Sequence, residues 1–253
     1  MLSESQIEAY HEHGYVIADF RLSASVLEDL RADQQRLVAR EPRFRDLCPN
    51  LLAYDLRFLE IARTPEILGM VEQLIGPDFA LWNSSLFAKP ERDGQRTPWH
   101  QDGQYWPIRP LATCTVWIAL DDSTTENGCL RVIPGSHHDR RLRVHRGLEA
   151  TDVTLNQELD PSEYDPENAE DIVLEAGQMS LHDVYLLHAS EANRSPRPRR
   201  GMTLRFMPTT SHFDRELASR QAIELGVLDH AERTLFLVRG VDRCGRNDFR
   251  FRN

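Results

Sequence analysis

Lysine is nearly absent from this 253-residue chain: of 30 lysine and arginine side chains, Lys89 is the only lysine. Arginine serves wherever a generic surface cation would do, so position 89 calls for a compact, strongly hydrated ammonium rather than a planar guanidinium. Cysteine is also scarce. Cys48, Cys114, Cys129 and Cys244 have no paired spacing, which excludes a disulfide framework and a thiolate zinc site. No apolar run approaches the length of a bilayer span. There is no excess of positive charge. A net charge of −10 would repel a nucleic acid or an anionic membrane over most of the surface, leaving a small molecule as the expected partner. The N-terminus lacks a basic region followed by an apolar stretch, and with so few cysteines the expectation is a cytoplasmic protein. The oligomeric state is left open. No internal repeat or low-complexity tract is found.

What is present fits one large domain over 1–253, since 40% hydrophobic residues can fill a sizeable core at this length. Three parts are expected: a mostly helical flank over 1–78, a β-rich core over 79–210 and a C-terminal extension over 211–253. Ser3 with Gln6 makes a capping box for a first helix ending near His13 and Gly14, and a strand should follow at 15–19. Ser25 with Glu28 predicts the start of a second helix, continued by Val26, Leu27, Leu30, Leu37 and Val38 to about Arg40. A third runs from Thr64 and Pro65 to Gly76. From Phe79 the period changes to two. Over 79–89, Leu81, Asn83, Ser85, Phe87 and Lys89 share one predicted face, opposite Trp82, Ser84, Leu86 and Ala88. A strand over 113–120 should turn Thr113, Thr115 and Trp117 towards a pocket. Further strands are expected at 129–133, 172–174, 178–182, 186–189 and 199–207. Helices followed by many short strands indicate an α+β fold with a mainly β core, a sandwich or a barrel.

The chemistry concentrates in TPWHQDGQYWP (97–107), where His100 and Asp102 stand two apart, and in LLHAS, which contains His188. Residues i and i+2 of a strand point to one face, so a His-x-Asp pair at a strand end aims a nitrogen and an oxygen at one point. Two histidines and one carboxylate bind one face of an octahedral ferrous ion and leave the other open. Asn83, Ser85, Gln104, Tyr105, Trp106 and Arg205 are candidate substrate residues, mixing donors with aromatic surface. Arg205 could meet a substrate anion or form a buried ion pair. The charged segment 138–171 is expected to be a solvated, self-compensating loop, with an arginine-bearing lid as the alternative.

Three segments, KPERDGQRTPWHQDGQYWP (89–107), VWIALDDSTTENGCLRVIPGSH (116–137) and EAGQMSLHDVYLLHASEANRSPRPRR (175–200), resemble the phytanoyl-CoA dioxygenase family of Fe(II)- and 2-oxoglutarate-dependent oxygenases, which includes ectoine hydroxylase and many natural-product hydroxylases. The middle string, with Asn127-Gly128 and Pro134-Gly135-Ser136-His137, is the most specific. The resemblance implies a double-stranded β-helix (jelly roll) with the N-terminal helices packed outside. It implies Fe(II) at His100, Asp102 and His188, with 2-oxoglutarate and O2 as co-substrates. Arg199 matches the arginine that grips the distal carboxylate of 2-oxoglutarate, with Arg200 as its rival, and Lys89 and Trp117 match positions lining that site. His182 shares parity with His188 but is expected to be a pocket wall, and His137 and His138 are taken as turn or surface residues. The implied activity is hydroxylation of an unactivated C–H bond of a small polar metabolite or natural-product intermediate with release of succinate and CO2. Desaturation, epoxidation or ring formation would use the same triad. Asp102 argues against halogenation, because related halogenases carry a small residue there. A non-catalytic or keto-acid-independent metal-binding jelly roll is the competing class.

Overall fold

The computed structural model describes residues 1–150 and 152–249. The last four positions of the expected C-terminal extension lie outside them. The fold is α+β, with a β-sheet core flanked by N-terminal helices. The first helix, Glu4–His13, begins at Ser3 with both halves of the capping box formed. The second, Ala24–Arg40, is capped by Ser23, whose hydroxyl accepts from the Val26 amide. The expected cap at Ser25 is therefore two residues too late: its hydroxyl meets that of Ser23 instead. The helix Pro65–Ile75 runs between the expected boundaries.

Seven antiparallel strands make the larger sheet, in the order Tyr15–Ala18, Met179–Asp183, Cys114–Ala119, Arg199–Pro208, Phe79–Lys89 and Phe236–Arg239, with Leu47–Cys48 also paired to Phe79–Lys89. The smaller sheet runs Glu170–Ile172, Leu130–Val132, His188–Ser190, Thr97–His100. The two share no strand among the described residues, so no closed barrel forms. The helices cover one face of the larger sheet: Leu27, Leu30 and Leu37, spaced by helical turns, join Ile67, Met70 and Val71 against Val116, Ile118, Leu181 and Leu204. Each fully buried aliphatic side chain there contributes about 1.5–3 kcal/mol. The opposite face meets the smaller sheet through Trp117, Ala119, Leu130 and Val132. The functional site lies in this gap.

One irregularity decides which residues reach it. In the pairing of Phe79–Lys89 with Arg199–Pro208, Asn83 opposes Arg205 but Leu81 opposes Phe206, so Trp82 is an extra residue in a bulge. Beyond it the faces exchange. Leu81 joins the helix-covered core, while Trp82 packs with Trp106 and Phe213 beside the gap. The strict alternation expected over 79–89 therefore holds from Asn83 to Lys89 and fails at Leu81 and Trp82. From sequence, the C-terminal segment over 211–253 is expected only as an extension, with no element assigned. It forms the helix Arg215–Leu225 and then edge strand Phe236–Arg239.

Candidate metal and co-substrate site

His100 ends its strand, and Asp102 opens the following 3-10 turn, Asp102–Tyr105. The pair converges because the chain turns there, not through the strand alternation proposed from sequence. His188 begins the neighbouring strand and pairs in register with His100, which brings the ring centroids to 4.1 Å. Each imidazole is oriented by its own backbone: Nδ1 of His100 lies 2.8 Å from the Pro98 carbonyl and Nδ1 of His188 lies 2.9 Å from that of Leu186. Donation at Nδ1 leaves both Nε2 atoms as bare lone pairs. Those atoms stand 3.7 and 3.9 Å from Oδ1 of Asp102. The three buried donor atoms all lie within 4.8 Å of one another, an arrangement that a small closing movement turns into a 2-His-1-carboxylate facial triad around one ion.

Burial alone would raise the Asp102 carboxyl, but Arg205, with His100, His182 and His188, holds it well below the usual carboxylate range. Burial, reinforced by His100, pushes the His188 imidazole far down, which keeps it neutral as a ligand must be. His182 lies 3.7 Å from Oδ2 of Asp102, yet neither of its ring nitrogens has a hydrogen-bond partner. It lines the cavity without the backbone anchor that fixes the other two histidines.

A cavity of about 390 Å³ adjoins the triad, lined from both sheets. At one end Arg199, 3% exposed, donates through Nε and Nη2 to the Gly128 carbonyl and lies 5.4 Å from the Trp117 ring centroid. Gly128 has a positive φ of 81°, and an added Cβ would stand 2.2 Å from the Glu191 carbonyl oxygen. The Asn127-Gly128 pair of the middle motif thus places the carbonyl that orients Arg199. Gly201 leaves room for Trp117, since a Cβ there would meet the indole at 2.2 Å. Lys89 is held at the same end by the carbonyls of Gln95, Ser190 and Glu191. Burial, with Arg199 nearby, pushes its amine down to about 6. Three carbonyl acceptors oppose that shift, because a neutral amine has only two hydrogens to give. Arg200 points to the other face and pairs with Asp121 through Nε and Nη2, each at 2.7 Å.

Asn83, Ser85, Tyr105, Trp106 and Arg205 line the cavity, as do Thr115 and Trp117. Gln104 does not. A 3-10 turn brings residues three apart onto one side, so Asp102 and Tyr105 face inwards while the Gln104 amide reaches Gln157, 3.2 Å away. His137 and His138 both lie in a turn, as one of the two expectations had it, but His137 is buried, with Nε2 at 3.1 Å from the His11 carbonyl, whereas His138 is exposed. Within 138–171, Arg141, Arg143 and Arg146 pair with Glu163, Asp139 and Asp160. The same segment sends Thr154, Leu155 and Asn156 to the cavity wall. Sequence reasoning missed Ser190, which the i+2 relation to His188 could have found. It also missed His230 and Arg233, for which no local pattern signals a role.

Residues 2–201 match the family Phytanoyl-CoA dioxygenase (PhyH). The chain belongs to the phytanoyl-CoA dioxygenase family. Among similar proteins, the peroxisomal phytanoyl-CoA dioxygenase of Bos taurus is 27% identical over 256 residues, covering 90% of this chain and 76% of that protein. The ectoine dioxygenase of Halomonas elongata is 26% identical, covering 78% and 68%. Among solved structures, the non-heme monooxygenase ThoJ in its apo form superposes with a TM-score of 0.75 at 27% identity, covering 98% of this chain and 87% of that one. EvdO2 from Micromonospora carbonacea var. aurantiaca, complexed with 2-oxoglutarate, shares the fold with a TM-score of 0.67 at 23% identity, covering 82% and 91%. Family membership and the facial triad together identify a non-heme oxygenase of the iron and 2-oxoglutarate type.

The family relatives also correct one expectation. The matching phytanoyl-CoA dioxygenases of cow, mouse, human and rat are peroxisomal proteins, which overturns the cytoplasmic assignment. Bulk charge and cysteine content do not encode an address that a receptor reads from a short signal. No helix among the described residues is long and apolar enough to cross a membrane.

Proposed function

We propose that this protein hydroxylates an unactivated C–H bond of a small metabolite or natural-product intermediate, using Fe(II) and 2-oxoglutarate. The carrying observation is that three ligand atoms with no hydrogen between them converge in a buried cavity whose wall also presents Arg199. His100, Asp102 and His188 would hold the metal, and Arg199 would take the distal carboxylate of 2-oxoglutarate. Bound together, iron and keto acid would supply oxygen activation coupled to decarboxylation, releasing succinate and CO2. The contacts to Gly128 leave Nη1 of Arg199 and one hydrogen of Nη2 for that carboxylate. Trp117 packs beside the guanidinium and limits its rotation. Lys89 braces the loops at this end and adds positive potential, while Tyr105 and Trp106 exclude water from the metal's side. The paired antiparallel sheets support a double-stranded β-helix working as one domain with its helical flank.

The test is aerobic incubation with ferrous iron and 2-oxoglutarate, followed by succinate quantification. Wild type should form succinate only when both are present, and His100→Ala should form none. Succinate release that ignores the metal, or its absence together with no chelate absorption in an anaerobic titration, would defeat the proposal.

A further inference from the structure

At the cavity end opposite Arg199, the acceptor atoms of Asn83, Ser85 and His230 are already engaged inside the protein. Arg233, 4% exposed, donates through Nε to Nδ1 of His230, through Nη1 to Oδ1 of Asn83 and through Nη2 to the Pro49 carbonyl. The first contact fixes the imidazole as the Nε2–H tautomer. The second fixes the amide so that its nitrogen faces away from Arg233; that nitrogen gives one hydrogen to Ser85 Oγ at 3.4 Å and keeps the other. Ser85 accepts from Arg205 at 2.8 Å and gives its own proton to the Pro49 carbonyl at 3.1 Å. Arg205 is left with a buried Nε that has no hydrogen-bond partner. These residues therefore turn donors to the cavity, Arg205, His230 Nε2 and Asn83 Nδ2, beside the unpartnered hydroxyls of Tyr105 and Thr115, which can serve either way.

The charge is equally one-sided. Asp102 is the carboxylate nearest Arg205, at 4.0 Å, and it belongs to the triad. Arg233 has no carboxylate within ion-pair distance among the described residues, so its three contacts are all to neutral groups. A buried guanidinium without an opposite charge is costly unless a ligand supplies one. Around this donor wall the lining is apolar: Pro49, Phe87, Trp106, Val227 and Leu228. Phe87 and Trp106 lie over the Arg205 guanidinium, at 5.7 and 5.2 Å, and hold it against the cavity.

We infer that Arg205, His230 and Asn83, backed by Arg233, form a carboxylate-binding subsite, so that the substrate is a small acid with an apolar body rather than a thioester or amide of one. This rests on the oxygenase reading for its consequence, though not for its geometry. Arg199 and Arg205 stand six residues apart on one strand, about 20 Å along it. Two anions can therefore occupy the cavity at once, one at each end, with the triad between.

The experiment is calorimetric titration of the whole protein with octanoate and phenylacetate, and with octanamide and phenylacetamide, at saturating 2-oxoglutarate and manganese without oxygen. Wild type should bind at least one acid about tenfold more tightly than its amide, the difference a charge-assisted pair makes. Arg205→Met should erase that preference and leave 2-oxoglutarate affinity within about threefold of wild type. The wild-type comparison stands even if the variant does not fold. No preference for either acid would overturn the subsite, as would acids that merely compete with 2-oxoglutarate, or an Arg205→Met variant that loses 2-oxoglutarate instead. Acid preference in a protein that forms no keto-acid chelate would support the subsite while sinking the co-substrate assignment.

Discussion

The two ends of the cavity differ in what holds their cations. At the Arg199 end the acceptors are backbone carbonyls: Gly128 for Arg199, and Gln95, Ser190 and Glu191 for Lys89. At the Arg205 end they are mainly side chains, Ser85, Asn83 and His230. Backbone carbonyls persist through substitution as long as the turn persists, so the first end is tied to loop geometry that a motif such as Asn127-Gly128 can specify. Side-chain acceptors change with every substitution. The second end also draws on residues beyond the 2–201 span that matches the family. The proposed co-substrate end thus rests on backbone geometry within the matched span, and the other end rests on side chains of which Arg205, His230 and Arg233 lie beyond it.

The most severe way to break the comparison is to remove what lies between the ends. His100→Ala, Asp102→Ala and His188→Ala should each abolish turnover while circular dichroism stays native, whereas His182→Ala should keep the metal and appreciable activity. Metal at full stoichiometry in His188→Ala, measured by elemental analysis, would show that the wrong histidine has been assigned.

Arg199→Ala should separate the ends next. Loss of a charge-assisted pair in a buried site costs about 2–5 kcal/mol, so the 2-oxoglutarate requirement should rise roughly thirtyfold to several thousandfold with metal binding little changed. Anaerobic titration of the chelate absorption measures it, and an unchanged dissociation constant would refute the binding mode. Arg200→Ala, on the opposite face, should leave that constant alone and lose only its contact with Asp121.

A smaller effect probes packing. Gly201→Ala should force Trp117 aside, destabilise the fold by about 1–3 kcal/mol as overpacked cores do, and weaken 2-oxoglutarate without touching the Arg205 end. Denaturant unfolding and the chelate titration together would detect it. Equal stability and affinity would mean that the indole is free to move.

The smallest effect is one of pH. Burial holds the His145 imidazole down to about 4 and that of His230 down to about 2. Both folded values lie below the unfolded value of about 6.5, so the unfolded chain binds the extra protons and stability must fall as pH drops below about 6.5. For His145 the loss reaches no more than about 3 kcal/mol by pH 4. Asp183, whose carboxyl burial raises, opposes it in sign. His145→Gln should therefore flatten the decline of Tm between pH 6.5 and 4, and an identical slope in the variant would remove His145 as its source.

Local pattern made much of this legible. The capping box at Ser3, the helix starting at Pro65 and the alternation of Thr115 and Trp117 towards the gap each follow from near-neighbour chemistry. Where a local rule competed with pairing, it failed. Ser23 won the helix cap over Ser25, and the bulge at Trp82 exchanged the faces of Leu81 and Trp82, because register against Arg199–Pro208 is set by a partner strand more than a hundred residues away.

By itself, the sequence determined the ligand types, the order of the motifs and the one lysine, since donor chemistry and spacing are properties of the chain. Only the tertiary structure decided which of two histidines has its Nδ1 anchored, that Gln104 turns away, and that Arg233 orients Asn83 and His230. Those outcomes depend on which atoms meet across sheets and loops, and a hydrogen bond between residues 150 positions apart leaves no trace in local periodicity.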